Sequence, residues 1–219
     1  MATSFVVIYD RAISEFDDPQ ITQAYTASPI SFFQIMYNFL NNAIPLFNNP
    51  LSIQVKLANR TAPDGELETF DGDGINTKFF LSSTPLADSY FEYTINSVAS
   101  TGTYSSVDNS VTFPSIIPVG QQATCEWYYA GQFNDSLSDN IQRILSKLLV
   151  VCWGEKEKNY LLDIRRLLND TDFKLYSEAN SIRAKTGWYN DMREDASKLA
   201  NQYAWNLKMS ETLSISLGE

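Results

Sequence analysis

The spacing of apolar residues changes twice along this chain, and that change limits the fold more than any motif does. Phe32, Phe33, Met36, Phe39, Leu40 and Ala43 recur at steps of three and four, the period of an amphipathic helix. Ser28-Pro29 opens this run as a cap with proline at the first helical position, and Pro45 and Asn48-Asn49-Pro50 close it. From residue 51 the step becomes two. Ile53, Val55 and Leu57 alternate with polar neighbours, as do Phe91, Tyr93 and Ile95, and then Ala123, Cys125, Trp127 and Tyr129. Alternation over such short runs predicts half-buried strands. Turn chemistry separates them at Pro63-Asp64-Gly65, Asp71-Gly72-Asp73-Gly74, Thr101-Gly102 and Val119-Gly120.

Beyond residue 135 the helical step returns. Ile141, Ile144, Leu145, Leu148, Leu149 and Cys152 mark one face. Tyr160, Leu161, Ile164, Leu167 and Leu168 predict a second helix after Gly154. Asn169-Asp170-Thr171 breaks the chain and caps a third, and Trp188, Met192, Leu199, Tyr203 and Leu207 continue after Gly187. The expectation is an α+β protein. Residues 1–50 and 135–210 form a discontinuous helical bundle, and residues 51–134 form an inserted small antiparallel β-sandwich or barrel. Leu213, Ile215 and Leu217 alternate with Thr212, Ser214 and Ser216. They predict an extended tail over 211–219, with a strand able to pair with a neighbour's sheet edge.

Charge and composition narrow the function. The formal net charge is -10, whereas a protein that grips nucleic acid presents a clustered basic face. Residues 51–134 carry nine acidic and three basic side chains, so the acidity concentrates on the strand zone. An acidic wall lets DNA pass without sticking. The chain has no histidine, which removes the usual general base near neutral pH and every histidine-based metal site. Its two cysteines, Cys125 and Cys152, lack CxxC spacing and sit among apolar residues, as buried reduced thiols do. The opening residues lack a basic n-region followed by a long apolar stretch, so no signal peptide is indicated. The longest apolar run, near Leu148 to Trp153, is too short for a membrane span.

No motif carries catalysis. Read as an EF-hand from Asp71, the fifth, sixth and twelfth positions fall on Ile75, Asn76 and Ser82, which fails the ligand pattern. There is no phosphate-binding GxxxxGK[ST] loop and no GxSxG elbow. Asp163 with Asp170 and Asp172, and Arg165 with Arg166, read as solvated helix faces, although the arginine pair could meet acidic groups of a partner. Trp127-Tyr128-Tyr129 and Phe79-Phe80 could stack on sugars or bases, but alternation assigns half of them to a core. The N-x-[ST] patterns at Asn59, Asn134 and Asn169 carry no weight without a secretory signal. Neither cofactor nor metal is expected.

Two sets of segments resemble known proteins. Ile8-Tyr9-Asp10-Arg11-Ala12-Ile13-Ser14 and Phe39-Leu40-Asn41-Asn42-Ala43-Ile44-Pro45-Leu46-Phe47 resemble the N-terminal helical part of a family of tailed-phage neck proteins. Leu149-Val150-Val151-Cys152-Trp153, the stretch from Leu167 to Ser177 and the charged helix from Trp188 to Lys208 continue the likeness. The strand zone resembles a β-module of phage tail and neck proteins. Its signature here is Phe70-Asp71-Gly72-Asp73-Gly74, Thr77 to Leu81, Thr94-Ile95-Asn96, Val111-Thr112-Phe113 and Pro118-Val119-Gly120. The resemblance implies a non-enzymatic virion protein, a head–tail adaptor made in the host cytoplasm. Its partners would be itself in a ring of twelve, the portal protein and the next neck or tail protein, with genomic DNA passing unbound and no membrane. Interface residues would then include Leu213, Ile215, Leu217, Arg165 and Arg166. The alternative is a baseplate or tail-fibre attachment protein with a binding β-domain.

Overall fold

The computed structural model describes residues 2–16, 19–47, 50–168 and 175–216. In chain order the elements are β1 (Thr3–Ser4), α1 (Phe5–Glu15), α2 (Pro19–Ala27), α3 (Pro29–Ala43), a 3-10 turn (Ile44–Leu46), α4 (Leu51–Ala58), β2 (Arg60–Thr61) and β3 (Asp64–Asp71). They continue as β4 (Lys78–Phe80), β5 (Tyr90–Ile95), β6 (Val98–Ser100), β7 (Thr103–Ser105), β8 (Ser110–Thr112), β9 (Gln122–Tyr129), β10 (Gln132–Phe133), α5 (Asp139–Leu168) and α6 (Leu175–Ser216). The protein is mixed α+β with antiparallel sheets. It divides into a helix-rich unit (residues 1–18, 36–60 and 133–219) and a strand-rich unit (residues 19–35 and 61–132). The expected boundary at residue 51 thus falls at 60–61, and residues 19–35 cluster with the strands.

In the helix-rich unit Ser4 caps α1, its hydroxyl accepting the Val6 N–H at 3.3 Å. Phe5, Ile8, Tyr9 and Ala12 repeat at three and four and are all fully buried. Three side-chain contacts lay α1 parallel to α5: Arg11 with Asp139, Glu15 with Lys147, and Phe16 edge-on to Trp153 at 4.8 Å. α5 and α6 run antiparallel. Trp153 meets Trp188 at 6.1 Å, whereas Asn140 and Ile144, near the start of α5, share a cleft with Tyr203 and Asn206, far along α6. Gly154 permits the close approach, since a Cβ there would lie 3.0 Å from the Tyr189 ring. Phe39, Leu40 and Ala43 on α3, Ile53 and Leu57 on α4, and Leu145 and Leu149 on α5 complete the core.

The strand-rich unit holds a four-stranded sheet, β3-β9-β5-β6, and a three-stranded sheet, β4-β8-β7, with their strands paired antiparallel. β3 and β9 pair from Asp64 opposite Tyr129 to Asp71 opposite Gln122. The alternation read from the sequence decides the faces: Ala123, Cys125 and Trp127 point inward and are buried. They join Val111 and Phe113 beside β8, with Phe70, Phe79, Phe91 and Tyr93 packed around them, so both sheets feed one core. α2 and the first half of α3 belong to this unit. Phe33 lies 4.6 Å from the Tyr90 ring, and Tyr25 meets Phe32 and Phe33 edge-on.

Three expectations are corrected. Residues 51–58 form helix α4, not a strand. Steps of two contain steps of four, and here Ile53 and Leu57 are buried one helical turn apart while Val55 between them is 63% exposed. α5 runs unbroken through Gly154, so the two helices predicted on either side of that glycine are one, while α6 continues through Gly187 as the pattern suggests. The extended tail is helical through Ser216. Leu213 and Ile215 therefore lie on helix backbone rather than on a strand, while Leu217 lies outside the described residues. The break at Asn169-Asp170-Thr171 lies outside them too.

Candidate functional site

At one end of the strand-rich unit, two loops are stitched together beyond the ends of β3 and β9. The Gly72 N–H donates to the Gln121 carbonyl at 2.8 Å and the Gly74 N–H to the Ile117 carbonyl at 3.0 Å. Gly72 has no room for a side chain, because a Cβ would sit 2.2 Å from the Pro118 carbonyl oxygen. Asp73 fixes the first loop by accepting the Ile75 and Asn76 N–H groups at 2.9 and 2.8 Å. Those donors hold its carboxyl below the usual range, the Asn76 N–H most of all. On this frame Ile75 is 75%, Val119 77% and Ile116 49% exposed. Aliphatic side chains on a pinned loop need little further ordering to be bound.

Beside this tip runs an open trough of about 610 Å³, lined by Asp71, Asn96, Ser97, Gln121, Gln122 and Thr124. Asn96 and Ser97 both take positive φ, 50° and 63°, and make the tight two-residue turn between β5 and β6. The Gln122 N–H donates to Asn96 Oδ1 at 3.2 Å, and Gln122 Nε2 donates to Asp71 Oδ1 at 3.0 Å. Thr94 and Thr124 hydroxyls bond each other at 2.7 Å. The trough thus offers one carboxylate, amides and hydroxyls. This lining can make hydrogen bonds to a polar ligand.

The paired carboxylates elsewhere in the unit serve the backbone. Glu68 accepts the Ser82 N–H on both oxygens at 2.9 and 3.0 Å, and Glu66 accepts the Ser83 hydroxyl. Glu92 accepts the Ile30 N–H at 3.1 Å and the Ser28 hydroxyl at 3.0 Å, placing a negative charge at the N-terminus of α3. Directly opposite on β9 stands Glu126, whose carboxyl is raised first by burial and then by the Glu92 charge. Burial also pushes the Cys125 thiol up to about 12 and the Cys152 thiol up to about 11. Among the described residues no group of three carboxylates or cysteines converges to hold a metal ion. Among them, too, no helix is long and apolar enough to cross a membrane.

Of the residues singled out in the sequence, Arg165 and Arg166 lie on the α5 backbone and Leu213 and Ile215 on that of α6. The side chains of all four lie outside the described residues. Trp127 is 3% exposed and Tyr128 is also buried, so neither offers a stacking face, whereas Phe80 is exposed with Lys78 Nζ 5.5 Å from its ring centroid. The Asn59 and Asn134 sequons are engaged in a clasp. Asn134 Nδ2 donates to Asn59 Oδ1 at 3.0 Å, and Asn59 Nδ2 donates to Asp135 Oδ2 at 3.1 Å. Sequence reasoning missed the apolar tip because Ile75, Ile116 and Val119 sit within turn chemistry; bulky aliphatics inside glycine- and proline-rich turns were the available signal.

The strand-rich unit holds nine carboxylates and one basic residue, Lys78, which is itself bonded to Asp108. That bond, with the Ser110 and Ser105 side chains, pulls the Asp108 carboxyl well below its ordinary value. The chain matches no known protein-family model and no curated protein.

Proposed function

We propose that the chain is a virion structural protein of a tailed phage, a subunit of the head–tail adaptor ring that joins the portal to the tail and extends the DNA channel. The helix-rich unit is its bundle and the strand-rich unit an inserted sandwich. The observation that carries this reading is the insertion itself. The chain leaves the helix-rich unit after Arg60 and returns at Phe133, and Asn59 and Asn134, which flank this excursion, are clasped, the Asn134 N–H also donating to the Asn59 carbonyl at 3.0 Å. A β-module so carried on helices contributed by both chain ends is the layout that the resemblance to neck proteins implies.

Function then lies in surfaces and not in chemistry. No enzymatic step or cofactor is assigned. The partners are further copies of the chain in a ring of twelve, the portal and the next neck or tail protein. The acidic strand-rich unit suits a passage for DNA, since like charge keeps the polyanion from adhering. The alternative, a baseplate or tail-fibre attachment protein with a binding β-domain, would have to bind through surfaces other than Trp127 and Tyr128, which are buried, such as exposed Phe80.

Native mass spectrometry of the purified chain, alone and mixed with its portal, tests the proposal. A closed ring, or a portal complex carrying twelve copies, is the expected result. A persistent monomer without portal affinity overturns it.

A further inference from the structure

Two exposed apolar surfaces of opposite charge occur on the chain, one on each unit. The first is the tip of the strand-rich unit, Ile75, Ile116 and Val119, flanked by Asp71 and Asp73. The second is the outer face of α4, where Leu51 is 72% and Val55 63% exposed, with exposed Lys56 beside them. Residues 19–63 contain no Asp or Glu, and their only charges are Lys56 and Arg60. α4 is therefore an apolar face with positive charge in an acid-free stretch, and the tip is an apolar face with negative charge.

The tip pairs poorly with itself. Two tips would bring two strand-rich units of net charge -8 together, and like charges across an interface are costly. Resting on the ring reading, we infer that the tip of one copy docks on the α4 face of a second copy, Ile75 and Val119 against Leu51 and Val55, with Asp71 and Asp73 facing Lys56. Such a contact is head-to-tail. It leaves each copy with one free tip and one free α4 face, and it ends only when a ring closes. Each contact is small, and the closed ring multiplies it through effective concentration.

Sedimentation velocity of the full chain across a concentration series tests this. All the substituted residues are exposed, and circular dichroism confirms the fold of each variant. Wild type associates, and raising salt from about 50 to about 500 mM weakens it. Lys56→Glu and Asp71→Lys each weaken association roughly fivefold or more. Ile75→Asp abolishes it. The combined Lys56→Glu/Asp71→Lys variant returns to within about twofold of wild type. If wild type assembles and all variants assemble equally, the docking surface is wrong while the ring reading stands. Single variants that weaken without rescue in the combined one overturn the pairing. A monomeric wild type at every concentration overturns both.

Discussion

Lys147 Nζ lies 3.2 Å from Glu15 Oε2, tying the first third of α5 to the last turn of α1 inside the helix-rich unit. Lys147 is 8% exposed, on a helix face otherwise filled by Ile144, Leu145 and Leu148. An ammonium in that setting is tolerated because a carboxylate faces it. Glu15→Gln leaves the charge without its counterion and should cost about 1–3 kcal/mol, less than for a fully buried pair because Glu15 keeps a third of its side chain in water. Adding Lys147→Met should recover most of the loss. Chemical denaturation of both variants reads the two values, and a combined variant as unstable as Glu15→Gln alone refutes the account.

Glu92 and Glu126 face each other across β5 and β9, and Glu92 accepts hydrogen bonds from Ser28 and Ile30. Glu92→Ala should therefore destabilise the strand-rich unit by about 1–2 kcal/mol through loss of the α3 cap.

Glu126 works in the opposite sense. Its folded carboxyl sits above the ordinary value of 4.5, so across that window the folded chain holds a proton that the unfolded chain has released. Stability falls as pH rises through the window. Glu126→Gln should be more stable than the parent at about pH 7, with the gain fading below about pH 4 where both forms are neutral. Melting temperatures at the two pH values decide it, and a gain independent of pH would remove the electrostatic explanation.

The thiols give a simpler test. Cys125 is buried in the strand core, and burial holds both it and Cys152 above the pH at which thiolates form. Neither should react appreciably with a disulfide reagent at about pH 8 while folded, because the thiolate is the nucleophile. Both should react at once in denaturant. Rapid labelling of Cys125 in the native protein would mean that the strand core opens readily.

Local pattern made part of this fold legible. The step of three and four behind Ser28-Pro29 predicts a helix, and α3 spans Pro29–Ala43. Alternation at 91–95 and 123–129 predicts strands and places Cys125 and Trp127 inside, but it fails at the strand's end, where Tyr128 is buried and Tyr129 only partly so. What failed was ambiguous in the chain itself. Ile53, Val55 and Leu57 satisfy both periods, and only tertiary burial chooses between them. Long-range links were hidden for the same reason. Glu92 caps a helix that starts 63 residues earlier, and nothing in the neighbourhood of Glu92 announces it. The apolar tip depends on which carbonyls Gly72 and Gly74 reach, a matter of loop pairing rather than of sequence spacing.

The glycines of the long helices separate local propensity from packing. The sequence pattern ends a helix at Gly154 and carries the helical step on past Gly187. In the structure both lie in helix interiors, where glycine is the weaker choice than alanine by about 1 kcal/mol. Their surroundings differ. Nothing lies within 4 Å of a Cβ at Gly187, whereas one at Gly154 would press on the Tyr189 ring at 3.0 Å and on Trp188 at 3.3 Å. Gly187→Ala should therefore stabilise the protein by about 0.5–1 kcal/mol, because the new methyl meets no obstacle and the unfolded chain loses freedom. Gly154→Ala should gain nothing or lose about 1 kcal/mol, as α6 must shift to make room. If Gly187→Ala instead destabilises, the helix breaks there, and the continuous α6 with its antiparallel register on α5 has to be redrawn.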